Sequence, residues 1–387
     1  MKHAVVISLA ILTYYLSTDI YTPSMPDIAR DFNETSDEVQ RTMSYYLLGA
    51  ILSTVLTGLF ADKFGKKKFL LLGMGLAGLA SVLTVFSPSL EWLILGRFLQ
   101  GLGGAVAPVI GWAAIQDIYA EDKVIKIYAM LGVLFAGVPA VAPFFGGIIS
   151  TYLGWHVIFI VIMILYAASA FNIWLVLPAS LDKRSNHSSS EILTSYKEIL
   201  SSRAFLILIL PFPLYCSAEM FYLTFLPFYV QDQLDISPEF YGFAIGVLVI
   251  GFAAGSYFAG KLMSYMGVHK TILTGLYLGL VAAIMLWITV FIFPKSLLAI
   301  CLSLSIFLLG FGFLFPSLVS TSLNIFKEAR TRASSIRGLF ATSFSFLGSF
   351  SAEWADESRL TGLAVYVLIC SVLAFGIYQM REREKVV

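Results

Sequence analysis

Twelve apolar runs, each about as long as a lipid bilayer is thick, recur along this chain and constrain its fold more than any other feature. A helix needs roughly 20 apolar residues to cross a hydrocarbon core of about 30 Å. Clusters of charged and turn-forming residues separate the runs at even intervals over the 387 residues. The predicted spans are 4–22, 42–59, 69–87, 92–115, 127–150, 155–178, 204–230, 240–260, 271–293, 296–322, 338–352 and 360–380.

The composition excludes most other classes of protein. Apolar residues make up 58% of the chain and charged residues only 13%, whereas a soluble domain carries about 25% charged residues. The 25 basic and 24 acidic residues leave almost no cationic surplus for binding nucleic acid. Cys216, Cys301 and Cys370 fall within predicted spans and lack metal-ligand spacing. We therefore predict an all-α integral membrane protein without a metal or other cofactor.

The basic residues predict the orientation of the helices, because Lys and Arg accumulate in cytoplasmic loops. With both termini in the cytoplasm, all but five of the 25 basic residues lie on the cytoplasmic side. The first apolar run has no cleavage site for a signal peptidase, so we expect it to remain as span one. We predict a multi-pass protein of the cytoplasmic (inner) membrane. The five exceptions are Arg30, Arg41, Lys295 and Arg359 outside and Arg97 within the membrane.

A hydrophilic stretch divides the spans into two sets of six. Residues 179–203 contain charges and a serine run, which is typical of a flexible linker. We predict six-helix bundles at 1–178 and 204–387, and weak internal similarity indicates that they are pseudo-symmetric. The loop Gly58-x-x-x-Asp62-x-x-Gly65 has the counterpart Gly260-x-x-x-Ser264-x-x-Gly267 in the second half, 202 residues later.

Four segments carry a resemblance to known transporters. The loop after span two, 58–68, resembles the signature loop of the major facilitator superfamily, with Phe60, Lys63 and Lys66 as mild departures. Together the segments are similar to the Bcr/CflA branch of drug/proton antiporters, which implies twelve transmembrane helices around a central cavity. The other three segments are Leu93-x-x-x-Arg97-x-x-Gln100-Gly101, Ser17-Thr18-Asp19-Ile20-Tyr21-x-Pro23-x-x-Pro26 and Pro139-x-x-Ala142-Pro143-x-x-Gly146-Gly147.

Asp19 and Arg97 are the candidate proton-coupling residues. A charge within the bilayer costs several kcal/mol unless it faces protein or water, and the resemblance implies that Arg97 lies near the proton site. Burial and a nearby arginine act oppositely on a carboxyl, so alternating exposure would let Asp19 bind and release a proton. Some relatives carry a second acid two turns earlier, where this chain has Ile11. Alternatively, Asp19 is solvated and Arg97 only bonds backbone carbonyls.

Glu219 is the candidate acid for substrate recognition. Acidic residues within the membrane are rare and usually have a function. Aromatic side chains beside a carboxylate suit a lipophilic cation, and methionine adds an adaptable surface. The alternative is that the aromatic residues only pack against helices or lipid. The candidate substrate-binding residues are Tyr215, Glu219, Met220, Phe221, Tyr222 and Phe225.

A further set of residues is expected to control conformational gating. Asp62 can accept hydrogen bonds from the N-terminus of a neighbouring helix, while prolines and glycines bend span five and allow close packing. The alternatives are a basic loop that only sets orientation and a passive kink. The gating candidates are Gly58, Asp62, Gly65, Lys66, Pro139, Pro143, Gly146 and Gly147.

These features predict a monomeric, proton-coupled antiporter that exports lipophilic, cationic or zwitterionic small molecules by alternating access. Its partners would be substrate, protons and the lipid bilayer. A dedicated exporter of one endogenous metabolite, such as a siderophore, amino acid or sugar, is the alternative. A membrane-embedded transferase is a remote one, because the four histidines stand apart and the chain has neither a Walker loop nor a zinc-binding motif.

Overall fold

The computed structural model describes residues 2–119, 121–182, 197–326 and 330–383. These residues are almost entirely helical, which confirms the predicted all-α fold. Residues 183–196 of the predicted linker lie outside the described part. The α-helices are α1 (Lys2–Asp19), α2 (Met25–Phe32), α3 (Ser36–Phe64), α4 (Lys66–Val85), α5 (Leu90–Gly104), α6 (Val106–Ile118), α7 (Glu121–Leu153), α8 (Trp155–Val176), α9 (Arg203–Ile209), α10 (Pro211–Phe228), α11 (Pro238–Met266), α12 (Val268–Ile292), α13 (Leu297–Ile325), α14 (Arg330–Ala352) and α15 (Thr361–Arg383).

Each predicted span corresponds to one long helix or to two helices that follow each other directly. Span four consists of α5 and α6, and span seven consists of α9 and α10. Ten helical segments of the described chain are long and apolar enough to cross a membrane. The remaining two spans are α7 and α14, so the predicted set of twelve is complete.

Several helices extend beyond the predicted spans, and the largest difference is at the start of span eleven. Span eleven was expected to begin at residue 338, but α14 begins two turns earlier at Arg330. The extra turns carry Arg330, Arg332 and Arg337, which are too polar for an apolar run. Arginine is nevertheless a good helix former, so the helix extends beyond the segment that hydrophobicity alone detects.

Two glycines reverse the chain at corresponding places in the two halves. Gly65 separates α3 from α4 with φ 95°, and Gly267 separates α11 from α12 with φ 87°. Residues with a side chain rarely adopt these angles, so each glycine permits one helix to end and the next to begin at once. These matching turns 202 residues apart support the predicted internal repeat.

The described residues form two compact units. Unit 1 covers the described residues of Met1–Asn186 together with Ser237–Phe243, the start of α11. Unit 2 covers those of His187–Ile236 and Ala244–Val387. Within unit 1, α3 packs on α5 and α4 on α8, while within unit 2, α10 packs on α14 and α12 on α13.

Candidate functional site

Arg97, on α5, is completely buried within unit 1, with 0% of its surface exposed. Its guanidinium lies over the rings of Tyr21 and Tyr46, 4.1 and 4.2 Å from the two ring centres. It donates one hydrogen bond of 3.1 Å to the carbonyl of Ser17 and one of 2.9 Å to Oε1 of Gln100. Two aromatic faces and two acceptors thus compensate a buried cation that would otherwise be costly in a membrane.

The hydrogen-bonding capacity of Arg97 is not exhausted by these contacts. Its Nε and Nη2 atoms are buried and have no hydrogen-bond partner among the described residues. Asp19 is the last residue of α1, is 6% exposed, and follows by two residues the Ser17 carbonyl that Arg97 binds. The described ion pairs do not include this pair. The structure therefore places a buried acid near a buried base that retains unused donors.

Ser17 belongs to a buried polar network that sequence analysis missed. Its hydroxyl is hydrogen-bonded to the hydroxyls of Tyr46 at 2.8 Å and Tyr166 at 2.9 Å. Tyr46 also donates to the carbonyl of Tyr14 at 3.0 Å. The network joins α1, α3 and α8 immediately beside Arg97. The sequence contains 19 tyrosines and no pattern that distinguishes these three.

Gln100 extends the contacts of Arg97 to a further helix. Its Oε1 accepts from Arg97, and its Nε2 donates to Oγ of Ser81 on α4 at 2.9 Å. Arg97 and Gln100 are three residues apart, so both side chains lie on one face of α5. The two polar residues of the predicted span-four signature therefore act as one hydrogen-bonded unit.

The first glycine of the α7 pair lies next to the candidate proton site. A Cβ atom at Gly146 would collide with the carbonyl oxygen of Ile20, the residue that follows Asp19. The backbones of α7 and of the end of α1 are thus in direct contact. Any displacement of the segment that carries Asp19 must be accommodated at Gly146.

The second glycine of the pair contacts the start of α11, which belongs to the same unit. A Cβ at Gly147 would collide with the carbonyl oxygen of Pro238, and a Cβ at Gly242 would collide with that of Pro143. These two contacts hold the helices together backbone against backbone. Among the predicted gating residues, Pro143, Gly146 and Gly147 therefore share one packing seam, which we call the α7 seam.

The turn between α3 and α4 places two lysines in different contacts. Lys66 forms an ion pair of 2.6 Å with Asp117 near the end of α6. Lys67 donates to the carbonyl oxygens of Trp174 at 3.0 Å and Leu177 at 2.6 Å, at the end of α8. Sequence analysis did not single out Asp117. Its position at the end of a span, on the same side of the membrane as the basic loop, could have indicated an ion pair with a lysine of that loop.

For three other gating candidates, Gly58, Asp62 and Pro139, the described residues show no contact that would explain a role in gating. A Cβ at Gly58 would meet no described atom within 4 Å, so close helix approach does not explain that glycine. The side chains of Asp62 and Pro139 lie outside the described residues.

In unit 2, Glu219 lies halfway along α10 and is half-buried, as is the neighbouring Met220. Tyr215 is buried and stacks on Phe307 with 4.6 Å between ring centres. Tyr222 and Phe225 are buried as well. Glu219 and Met220 are therefore the predicted substrate-binding residues that retain accessible surface.

Phe221 is also buried but borders an open space. Its ring stacks on that of Tyr366 with 4.4 Å between centres. The two rings, with Trp354, line a cavity of about 340 Å³. The hydroxyl of Tyr366 is in turn hydrogen-bonded to Ser217 at 2.8 Å, which holds α15 against α10.

Arg337, on α14, is a second half-buried charged residue of unit 2. Its guanidinium carbon lies 5.6 Å from the ring centre of Phe212. Phe212 packs on Phe311 of α13, with 5.4 Å between ring centres. Sequence analysis placed Arg337 before span eleven and assigned it no role.

Comparisons with known proteins identify a family. The family model for the Major Facilitator Superfamily matches residues 7–352. The chain is 28% identical over 331 residues to "Chloramphenicol resistance protein CraA" of Acinetobacter baumannii, covering 85% of this chain and 80% of that protein. It is 30% identical over 165 residues to a "Bicyclomycin resistance protein homolog" of Haemophilus influenzae, covering 43% and 42%. The fold is similar to that of a D-xylose-proton symporter, with a TM-score of 0.77 and 13% identity over 98% and 97% of the two chains.

Proposed function

The chain belongs to the Major Facilitator Superfamily, and from that premise we propose that it is a proton-coupled antiporter that exports lipophilic, cationic or zwitterionic small molecules. The observation that carries the proposal is the buried Asp19 near the fully buried Arg97, whose Nε and Nη2 lack partners among the described residues. Relatives named for resistance to chloramphenicol and bicyclomycin support export as the direction of transport.

In the proposed cycle, the protonation of Asp19 controls its interaction with Arg97. When Asp19 is ionised, the unused donors of Arg97 attract it. When Asp19 takes up a proton, that attraction is lost, and the end of α1 is then attached to Arg97 through the carbonyl of Ser17 alone. Because Ile20 contacts Gly146, any movement of that end reaches the α7 seam directly. The seam then acts as the gate that opens and closes with each proton.

Substrate recognition is assigned to the accessible part of α10. The carboxylate of Glu219 attracts a cationic group, and Met220 adapts to different apolar bodies. The other candidate residues of the same helix, Tyr215, Phe221, Tyr222 and Phe225, are buried. The two bundles alternate in exposing the substrate to either side of the membrane. One net charge that crosses per cycle is worth about 2.3 kcal/mol per 100 mV.

The protein acts as a monomer in the cytoplasmic (inner) membrane, with both termini in the cytoplasm. The asymmetry of the basic residues supports this orientation. A reporter that is active only in the cytoplasm, fused to each terminus in turn, tests it. Signal from both fusions is expected, and an inactive fusion at either terminus would reject the topology.

The decisive experiment measures efflux from proteoliposomes driven by a pH gradient. Asp19→Asn should abolish proton-driven transport, because the amide cannot carry the proton. Glu34→Gln is the matched control, since Glu34 is an exposed acid just after α2. Substrate exchange without a gradient should survive in Asp19→Asn. Undiminished gradient-driven efflux by that variant would reject the proposed coupling.

A second experiment addresses Glu219. Glu219→Gln should reduce efflux of a cationic substrate more than efflux of a neutral substrate of similar size. Equal losses for the two substrates would exclude Glu219 from cation recognition.

A further inference from the structure

We propose that the cavity formed by α10, α15 and the connection between α14 and α15 binds uncharged, planar aromatic compounds and is a second substrate subsite of unit 2. The inference rests on the proposed function in that the bound compound is taken to be exported, whereas binding itself is tested without transport. Under the proposed topology the connection between α14 and α15 faces the exterior, so the cavity lies on the side where substrate is released.

The cavity has a volume of about 340 Å³ and an uncharged lining. Phe221 contributes from α10, Trp354 from the connection and Tyr366 from α15, all within unit 2. None of the described residues that line it is charged. Apolar pockets of about 300–1,000 Å³ with few polar groups are typical of small-molecule sites. A charged compound would lose hydration here without gaining a counter-charge, so the lining favours an uncharged one.

The wall of the cavity is a pair of stacked rings. Phe221 and Tyr366 lie 4.4 Å apart between ring centres, with 20° between their planes. The hydroxyl of Tyr366 is hydrogen-bonded to Ser217 at 2.8 Å, which fixes the orientation of its ring. Phe221 is buried and therefore fixed as well. A planar ring can stack on this preformed aromatic surface without first ordering it.

Trp354 supplies a third ring on the open side of the cavity. It is 80% exposed, although its ring also contacts that of Phe350 edge-on, with 6.3 Å between ring centres. The exposed face is thus available to cover a compound in the cavity. Tryptophan is also enriched where a membrane meets water, so a lipid chain is the alternative occupant, and the experiment must separate the two.

Two residues at the start of α15 complete the cavity. Thr361 is half-buried, and its hydroxyl can donate to or accept from a polar substituent of the compound. A Cβ atom at Gly362 would lie 3.0 Å from the Cβ of Ala355 and 4.0 Å from the ring of Phe221. A larger side chain at residue 362 would therefore enter the cavity. Glycine is a poor helix former, but at this position it keeps the cavity open.

The cavity separates two kinds of substrate on α10. Glu219, to which the cationic group is assigned, is not among the described residues that line it. It lies two residues from Phe221, which places it about 200° around the helix. Binding of an uncharged ring in the cavity therefore does not depend on Glu219. The transporter would accept uncharged aromatic compounds in addition to cations.

Equilibrium binding to the purified protein in detergent tests the site directly. The probes are acridine, which is uncharged at neutral pH, and 10-methylacridinium, a permanent cation with the same three rings. Gly362→Leu fills the cavity and should weaken saturable acridine binding by about tenfold or more, while binding of the cation changes by less than about twofold. Gly376→Leu is the control on the same helix, because residue 376 is exposed and a Cβ there meets no described atom within 4 Å.

Trp354→Ala provides a second variant, at an exposed position, if the leucine variant does not fold. It should weaken acridine binding by about three- to tenfold, because one aromatic contact is lost. Trp354→Phe should restore most of the affinity. Trp92→Ala, at an exposed tryptophan of unit 1, is the control and should have no effect.

Absence of saturable acridine binding to the native protein, or equal affinities of the native protein and Gly362→Leu, would overturn the inference. A phospholipid that co-purifies with the native protein but not with Gly362→Leu, with acridine binding unchanged, would do the same, since the occupant would then be lipid. Equal losses for the two probes would exclude a preference for uncharged compounds. These outcomes leave the proposed coupling at Asp19 intact, whereas undiminished gradient-driven efflux by Asp19→Asn would reject the coupling but not binding in this cavity.

Protection of an introduced thiol locates the bound ring. Cys301→Ser leaves Cys216 and Cys370, which are both buried, as the native thiols. In that background Thr361→Cys lies on the lining of the cavity, and Ser358→Cys lies on the exposed connection outside it. Acridine should slow the reaction of N-ethylmaleimide with the first thiol several-fold and leave the second unchanged. A rate at Thr361→Cys that does not respond to acridine would place the binding site elsewhere and overturn the inference.

Discussion

The backbone carbonyl of Ser17 accepts a 3.1 Å hydrogen bond from the buried guanidinium of Arg97. This bond attaches the last turn of α1 to α5 only two residues before Asp19. The acid therefore cannot move far from the arginine while the bond persists. Any motion that separates them must break this bond or carry both helices together.

Arg97→Lys should impair both stability and transport. Lysine keeps the charge but lacks the planar group that lies over Tyr21 and Tyr46 and reaches two acceptors at once. We expect the free energy of unfolding to fall by about 1–3 kcal/mol and efflux to fall at least tenfold. Chemical unfolding in detergent and vesicle efflux measure the two effects. Arg30→Lys, at an exposed ion pair with Asp27, is the control and should change neither.

Ser17→Ala should destabilise unit 1 through the tyrosines that Ser17 joins. The substitution deprives the hydroxyls of Tyr46 and Tyr166 of a shared partner, at a cost of about 1–3 kcal/mol. The midpoint of unfolding in denaturant would report the loss. Ser264→Ala, which removes an exposed hydroxyl bonded within its own helix, should have little effect. Equal midpoints for the two variants would mean that the network adds no stability.

Two glycines of α7 should respond oppositely to alanine. Gly147→Ala forces a Cβ against the carbonyl of Pro238, so the helices must separate and efflux should fall by tenfold or more. At Gly137 a Cβ meets no described atom within 4 Å, and alanine there should stabilise the helix by about 0.5–1 kcal/mol. Thermal unfolding and efflux of both variants test this. Similar behaviour of the two would contradict a role for the α7 seam.

The ion pair between Lys66 and Asp117 should be detectable in a double-mutant cycle. Both side chains are partly exposed, so we expect a coupling energy of about 1 kcal/mol or less. Lys66→Asp and Asp117→Lys should each lower the unfolding temperature, and combining them should restore part of the loss. The coupling should shrink in high salt. Strictly additive effects of the two changes would indicate that the pair is not energetically linked.

Most of the fold could be predicted because the apolar runs report burial in lipid directly. The start of α14, where the predicted and observed bounds differ most, shows the limit of that signal. Arg330 and Arg332 belong to the helix but interrupt the apolar run, so hydrophobicity placed the start too late. A helix can extend past the hydrocarbon core, because polar residues such as arginine also have a high helix propensity.

The candidate site was only partly predictable. Asp19 and Arg97 stand out because charges are rare within spans, and the structure bonds Arg97 to the carbonyl of Ser17, two residues before Asp19. The partners of Ser17 do not stand out, since Tyr46 and Tyr166 lie 29 and 149 residues away. Hydroxyl networks depend on how helices pack, and a tyrosine that bonds another helix has the same sequence signature as one that faces lipid.

The contact of Lys67 with the end of α8 has a consequence for the order of events during synthesis. Its acceptors, the carbonyls of Trp174 and Leu177, follow it by 107 and 110 residues. At a synthesis rate of about 5–20 residues per second, the lysine waits roughly 5–20 s before its partners exist. The turn after α3 therefore acquires its final contacts only when the first half of the chain is complete. A ribosome that stalled before residue 174 would leave this lysine without those acceptors, so the contact marks completion of the first six spans.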